Sequence, residues 1–153
     1  MGRVAQPVRL RLYERLEVCS DPACECSGCL LWTLSLDDHG YGRMWTGSKP
    51  AGTARPERVH IIAWELDNEP VPAGLHLDHV YDRGCRHKNC ANVEHLEPVT
   101  PGENIRRSTQ RITHCPKRHP YDEANTYMHR GKRYCRACHR DALDRWKART
   151  AAA

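Results

Sequence analysis

Phenylalanine is absent from this 153-residue chain, and aromatic residues together make up only 7% of it. Hydrophobic residues reach 39%, too few for the large apolar core that holds an ordinary domain together. No run approaches the roughly 20 consecutive apolar residues that a membrane-spanning helix needs, so no membrane partner is expected. The opening residues MGRVAQPVRLRL lack the apolar stretch of a secretory signal peptide, and a soluble, cytoplasmic protein is the expectation. The nine cysteines cannot all pair within one chain, because nine is odd. They are interleaved with histidines, a pattern that suits zinc in a reducing compartment better than disulfides in an oxidising one. Small polar domains need staples, and metal is the expected staple here. The length allows one domain, or one domain with a small appendage.

Acidic residues are scarce in one part of the chain only. Residues 101–153 carry 13 Lys+Arg against 5 Asp+Glu, whereas residues 1–100 carry 11 against 14. A basic C-terminal third behind a near-neutral body points to phosphate contacts. A solvated, charge-rich helix would give the same count, so the motifs have to choose.

Along the chain, Val8, Leu10 and Leu12 alternate as in a strand, whereas Leu12 and Leu16 with their Glu and Arg neighbours suit a helix, expected from about Tyr13. Cys19-Ser-Asp-Pro-Ala-Cys24-Glu-Cys26-Ser-Gly-Cys29 is a turn-rich knot of four thiols. It has the donors for a whole all-thiolate zinc site, or it lends a single thiol to a site completed elsewhere. Leu30–Leu36 and Tyr41–Thr46 flank the turn sequence Asp37-Asp38-His39-Gly40 and predict a hairpin. Residues 47–57 form a loop by composition. Val59, Ile62, Ala63 and Leu66 recur at helical spacing, placing His60 on a short helix that stops at Asn68-Glu-Pro70. A single histidine on a helix is more often structural than catalytic.

The most informative stretch is Leu75–Asn104. Leu75, Leu77 and Val80 with His76, Asp78 and His79 predict a strand. Adjacent strand side chains point to opposite faces, so Asp78 and His79 share a site only at a strand end or bulge. Residues 93–99 predict a second strand. Thr100-Pro101-Gly102-Glu103 then combines an N-cap, a proline for the first helical position and a capping-box glutamate, which puts Asn104 on the first turn of a helix. Two strands and a helix of this size need a staple. Cys85-x4-Cys90-x4-His95 supplies three of the four ligands of a structural zinc, and the fourth is most economically a thiol of the 19–29 knot.

These motifs resemble the HNH, or ββα-metal, nuclease superfamily, most of all its His-Cys box branch and the phage HNH endonucleases. The resemblance rests on Gly28-Cys29-Leu-Leu-Trp32-Thr33, on Asp78-His79, on Cys85–Glu97 and on Val99–Asn104, and covers roughly residues 28–105. It implies that His79 is the general base, that Asn104, nine residues beyond His95, binds the catalytic Mg2+ (or Mn2+), and that Asp78 is a second ligand of that ion. It also implies Cys29 as the fourth zinc ligand with Cys85, Cys90 and His95, and raises His60 to a candidate active-site residue. Three features depart from the family pattern. Tyr81–Gly84 lengthens the step from His79 to Cys85, His95 is spent on zinc, and Ile61 follows His60 where the family often has His-Arg, so Arg58, Arg55 or Arg43 would have to clamp phosphate.

In the tail, Cys115-Pro-Lys-Arg-His119, fifteen intervening residues and Cys135-Arg-Ala-Cys138 make a strong zinc signature. The loop between the pairs mixes Tyr121 and Tyr127 with Arg130, Lys132 and Arg133, and a helix is expected from Cys138 to about Arg149. The expected whole is a small zinc-stapled α+β protein. Its nuclease domain, residues 1–110, would hold a ββα-metal core with an N-terminal hairpin and helix. Residues 111–153 would form a zinc finger and basic helix. Two structural Zn2+ and a catalytic Mg2+ are expected. Double-stranded DNA would be gripped by Arg58, Arg106, Arg107, Lys117, Arg118, Arg130, Lys132 and Arg133. The expected activity is hydrolysis of DNA to 5′-phosphate and 3′-hydroxyl ends by a phage-borne enzyme of homing, restriction or nicking and packaging type. A homodimer would be the simplest double-strand cutter. The alternative in kind is a zinc-containing DNA-binding protein without catalysis.

Overall fold

The computed structural model describes residues 6–151. They form a mixed α+β fold of four two-stranded antiparallel sheets and four helices, divided into two compact units, residues 1–104 and 105–153.

In the first unit, α1 (Val8–Tyr13) follows Pro7. Its Leu12 is fully buried. Arg9 donates to the Leu66 carbonyl at 2.6 Å and to Asp67 at 2.6 Å, and Tyr13 donates to Asp67 at 3.0 Å. The helix expected to begin near Tyr13 therefore ends there instead. Its Leu12 points into the core, and its cationic face meets the carbonyl end of a second helix.

Strand β1 (Leu16–Val18) pairs with β2 (Leu30–Trp32), and β3 (Arg43–Thr46) pairs with β4 (Arg55–Arg58). This corrects the expected hairpin of residues 30–36 with 41–46, between which the ladder shrinks to a single bridge, Leu36 with Gly42. The Asp37 carboxylate accepts from the backbone of His39 and Tyr41 and closes the turn tightly. Gly42 then lies against Trp32, where a Cβ would come within 2.9 Å of the indole. The two strands find their ladder partners elsewhere. Part of the expected 47–57 loop becomes β4.

Helix α2 (Val59–Asp67) has no side-chain N-cap, and the Val59 N–H is satisfied by the Gly42 carbonyl at 2.8 Å. Its Val59, Ile62 and Ala63 bury against Leu12, Trp32, Met44 and Ala91. These seven residues form a small core, consistent with the composition.

Strand β5 (His76–His79) pairs with β6 (Leu96–Val99), with Asp78 opposite Glu97 and His79 opposite Leu96. Residues 93–95, expected as strand, form a 3₁₀ turn capped by the Asn92 side chain. Helix α3 (Pro101–Gln110) starts where the Thr-Pro-Gly-Glu signal places it, with the Glu103 N–H donating to Thr100 Oγ1 at 3.2 Å.

Between the strands, a 3₁₀ turn over Tyr81–Arg83 ends at Gly84 with φ +84°. A Cβ there would lie 2.6 Å from that of Ser27, whose N–H donates to the Gly84 carbonyl. Gly84→Ala combines a left-handed backbone with a clash beside Cys85. It is expected to cost about 1–3 kcal/mol, read as a lower denaturant midpoint with an unchanged slope.

In the second unit, β7 (Thr126–His129) and β8 (Lys132–Cys135) form a hairpin that the sequence reading did not anticipate, turning through Arg130 and Gly131 at φ +48° and +72°. Helix α4 (Arg136–Ala151) begins two residues earlier than expected.

Candidate metal centres and histidine cluster

Among the described residues, three sets of cysteine and histidine side chains converge, each with all donor atoms within 4.8 Å of one another. The inner set is Cys29, Cys85, Cys90 and His95, all buried. Cys29 Sγ lies 3.9 Å from Cys85 Sγ, and Cys29 and Cys90 each lie 3.6 Å from His95 Nδ1. Zn–S and Zn–N bonds of about 2.3 and 2.0 Å in a tetrahedron separate ligands by about 3.8 Å (S to S) and about 3.5 Å (S to N). The donor set fits zinc. The Cys29 thiol is pushed up chiefly by burial. Cys90 is pushed up by hydrogen bonding to Cys85 and by burial, so a cation is what would hold these groups as thiolates. Cys29 reaches the set because Gly28 and Leu30 pin the chain on either side: Asn92 donates to the Gly28 carbonyl, and the Ala91 N–H donates to that of Leu30.

The tail set is Cys115, His119, Cys135 and Cys138. His119 Nδ1 lies 3.6 Å from Cys115, 3.3 Å from Cys138 and 3.6 Å from Cys135. Burial opposes ionisation of Cys135, but the Cys138 N–H and the Asn125 side chain donate to its sulfur and bring the thiol down to about 6. These donors also orient the ligand. Arg118, at φ +63°, makes the tight turn between Cys115 and His119.

The third set was missed as a set. Cys19 and Cys24 lie 3.5 and 3.0 Å from His87 Nε2, with Cys26 completing the group. The available signal was arithmetic, since three thiols remain once each of the other sets has taken three. The fourth donor was not legible, because His87 is 61 residues beyond Cys26. The expected two zinc sites are thus three Cys/His clusters compatible with zinc.

A histidine cluster adjoins the inner set. His79, at the end of β5, has its Nε2 3.0 Å from the Cys90 carbonyl. A carbonyl only accepts, so Nε2 carries the proton and Nδ1 keeps a free lone pair. The His60 ring centroid is 4.7 Å from that of His79, and Tyr41 lies 5.3 Å from His60 and 5.9 Å from His79. Arg58 stacks on Tyr41 at 4.1 Å and pairs with Asp37 at 3.0 Å. Burial holds both imidazoles below the usual histidine range, His60 down to about 3, helped by the nearby His79 and Arg58 charges. His60 keeps its Nδ1 buried and unpartnered among the described residues, and burial favours the neutral form of its ring.

This burial has a stability consequence. The folded His60 pKa lies below the unfolded value of about 6.5, so the unfolded chain binds the extra proton and stability falls as pH drops from about 6.5 towards 3. The loss should reach about 2 kcal/mol by pH 5. Denaturant titrations at pH 7.5 and 5 should show this slope reduced in His60→Gln. An unchanged slope would mean that His60 is not the group responsible.

Asp78 is buried one residue before His79, and Asn104 sits on the first turn of α3, the helix that follows β5's partner strand. Among the expected DNA contacts, Arg58 is tied to Asp37 as described. Arg133 donates to the Thr109 and Ile112 carbonyls at 2.8 and 2.7 Å and stacks on Tyr121, which closes the end of α3 inside the second unit. Lys117 pairs with Asp141 at 3.5 Å. Arg118, Arg130 and Lys132 are exposed. Arg106 is exposed and Arg107 half-buried on α3. No described helix is long and apolar enough to cross a membrane.

No family model and no solved structure matches the chain. Over 80 residues it is 30% identical to the uncharacterized gene 5.3 protein of Enterobacteria phage T3, a match covering 52% of this chain and 75% of the relative. Over 76 residues it is 36% identical to protein 7.7 of Escherichia phage T7, covering 50% of this chain and 51% of that relative. The chain thus spans about half the length of the T7 protein. Neither name carries an activity.

Proposed function

Because the chain belongs to the family of the phage T3 gene 5.3 protein, whose name assigns no activity, we propose its function from its own residues: a metal-dependent DNA endonuclease of the HNH type. The observation that carries this reading is the state of His79. Its Nε2–H is spent on the Cys90 carbonyl, which leaves Nδ1 unprotonated on a ring that burial keeps neutral. That is the form required of a general base that takes a proton from water. The acceptor belongs to a residue of the inner cluster, so the staple that holds the loop also aims the base.

In this reading β5, β6 and α3 are the ββα-metal unit. Asp78 and Asn104 would hold Mg2+, since a carboxylate and an amide carbonyl are hard oxygen donors and two protein ligands leave room for water and phosphate. Bound there, the ion would supply charge stabilisation to the phosphate and to the leaving 3′-oxygen. His79 takes the water proton at Nδ1, His60 and Tyr41 wall the ring, and Arg58, held over Tyr41 and paired with Asp37, is a cation available to a phosphate. The cleaved ends would be 5′-phosphate and 3′-hydroxyl. The basic residues of the second unit supply backbone contacts that carry no sequence information.

Supercoiled plasmid incubated with the zinc-loaded protein tests the proposal. Nicked or linear product is expected when Mg2+ is added and none when it is withheld. DNA binding without cleavage under both conditions would leave a zinc-containing DNA-binding protein.

A further inference from the structure

Cys19, Cys24, Cys26 and His87 take no part in the chemistry proposed above, and their surroundings differ from those of the other clusters. Every residue of the inner set is buried and so are Cys115 and Cys135 of the tail set, whereas all four residues of this outer set are partly exposed. Residues 19–29 contain no helix or strand and contribute no residue to the main apolar core. Besides the cluster, the segment is fixed by few backbone bonds, among them Cys19 N–H to Cys29, Cys24 N–H to Asp21 and Ser27 N–H to Gly84. A segment with so little apolar burial does not offset its own ordering entropy. Yet three of its side chains converge on an imidazole from a distant loop.

We propose that this outer set is a third metal site, taking zinc or another thiophilic divalent cation, that exchanges with solvent while the other two sites remain filled. The donor chemistry is the same three thiolates and one imidazole, and the S–N separations of 3.5 and 3.0 Å lie at and somewhat below the tetrahedral value of about 3.5 Å, within reach of one ion. A disulfide between two of the thiols would leave His87 without a role, although its Nε2 lies within reach of both Cys19 and Cys24. Exchange follows from exposure, because a chelator can approach the ligands from solvent without unfolding the chain. His87 stands between Cys85 and Cys90, so the 85–90 loop is held from inside by one ion and from outside by another. The outer site fastens the 19–29 segment to that loop.

The test uses the full-length zinc-loaded protein and does not depend on nuclease activity. Elemental analysis should find three zinc ions per chain, and a moderate excess of EDTA should remove one quickly and two slowly. Alkylation with iodoacetamide after the fast phase, followed by peptide mass mapping, should label Cys19, Cys24 and Cys26 and spare the other six cysteines. His87→Ala and Cys26→Ser should each bind two zinc ions and lose the fast phase. Two zinc ions in the unmodified protein, a disulfide among Cys19, Cys24 and Cys26, or a fast phase whose labels fall on other cysteines would each overturn the proposal. Should a variant fail to fold, the mapping on the unmodified protein decides alone.

Discussion

His79→Gln is expected to lower Mg2+-dependent plasmid cleavage by about 10²–10⁴-fold, the usual contribution of a positioned general base. Zinc content and DNA affinity should stay unchanged. Glutamine keeps a polar side chain near the Cys90 carbonyl but has no basic nitrogen at the Nδ1 position. The loss should therefore appear in the rate at saturating DNA and not in binding. Retained cleavage would sink the assignment of His79. A loss of cleavage accompanied by loss of zinc would show a structural effect instead, and the metal count separates the two. Because the outer cluster is expected to yield its ion to EDTA, omission of Mg2+ is a cleaner control than added chelator.

Cys90→Ser should have the largest effect on the fold. All four inner ligands are buried, and a hydroxyl does not replace a thiolate on zinc. Structural zinc contributes apparent binding energies of about 10–16 kcal/mol in small zinc domains, comparable to or above the whole stability of about 5–15 kcal/mol of an ordinary domain. The apolar core beside it has only seven buried members. The expected result is loss of the cooperative thermal transition of the first unit, with zinc content falling by at least one ion. A near-wild-type melting curve would show that the inner cluster is not a staple. By contrast, Cys24→Ser at the exposed outer cluster should leave that transition in place. The Cys90 carbonyl also receives the His79 proton, so activity should fall with stability.

Much of the site was legible before any coordinates, and the reason is local spacing. Cys85-x4-Cys90-x4-His95 and Cys115-x3-His119 with Cys135-x2-Cys138 are sets whose members lie close enough in sequence for turns to bring them together. The start of α3 was equally legible, since the cap of Thr100 on Glu103 is made within one turn. The fourth inner ligand was narrower than the residues alone allowed. Four thiols of the 19–29 knot were candidates, and the choice of Cys29 came with the family resemblance. The structure makes that choice physical, because β2 follows directly after Cys29 and the Ala91 N–H draws its first residue against the 85–90 loop.

The sequence by itself determined a polar chain with little apolar surface to bury, and its Cys and His spacing pointed to clusters compatible with zinc. It also determined which cysteines pair as neighbours. Only the tertiary structure decided what depends on long-range approach. Strand pairing went to β1–β2 and β3–β4, partners set by long-range register that no local periodicity encodes. His87 joins Cys19, Cys24 and Cys26 because the 85–90 loop folds back on a segment about sixty residues earlier. The tautomer favoured at His79 follows from one carbonyl, that of Cys90, whose direction depends on the loop being closed.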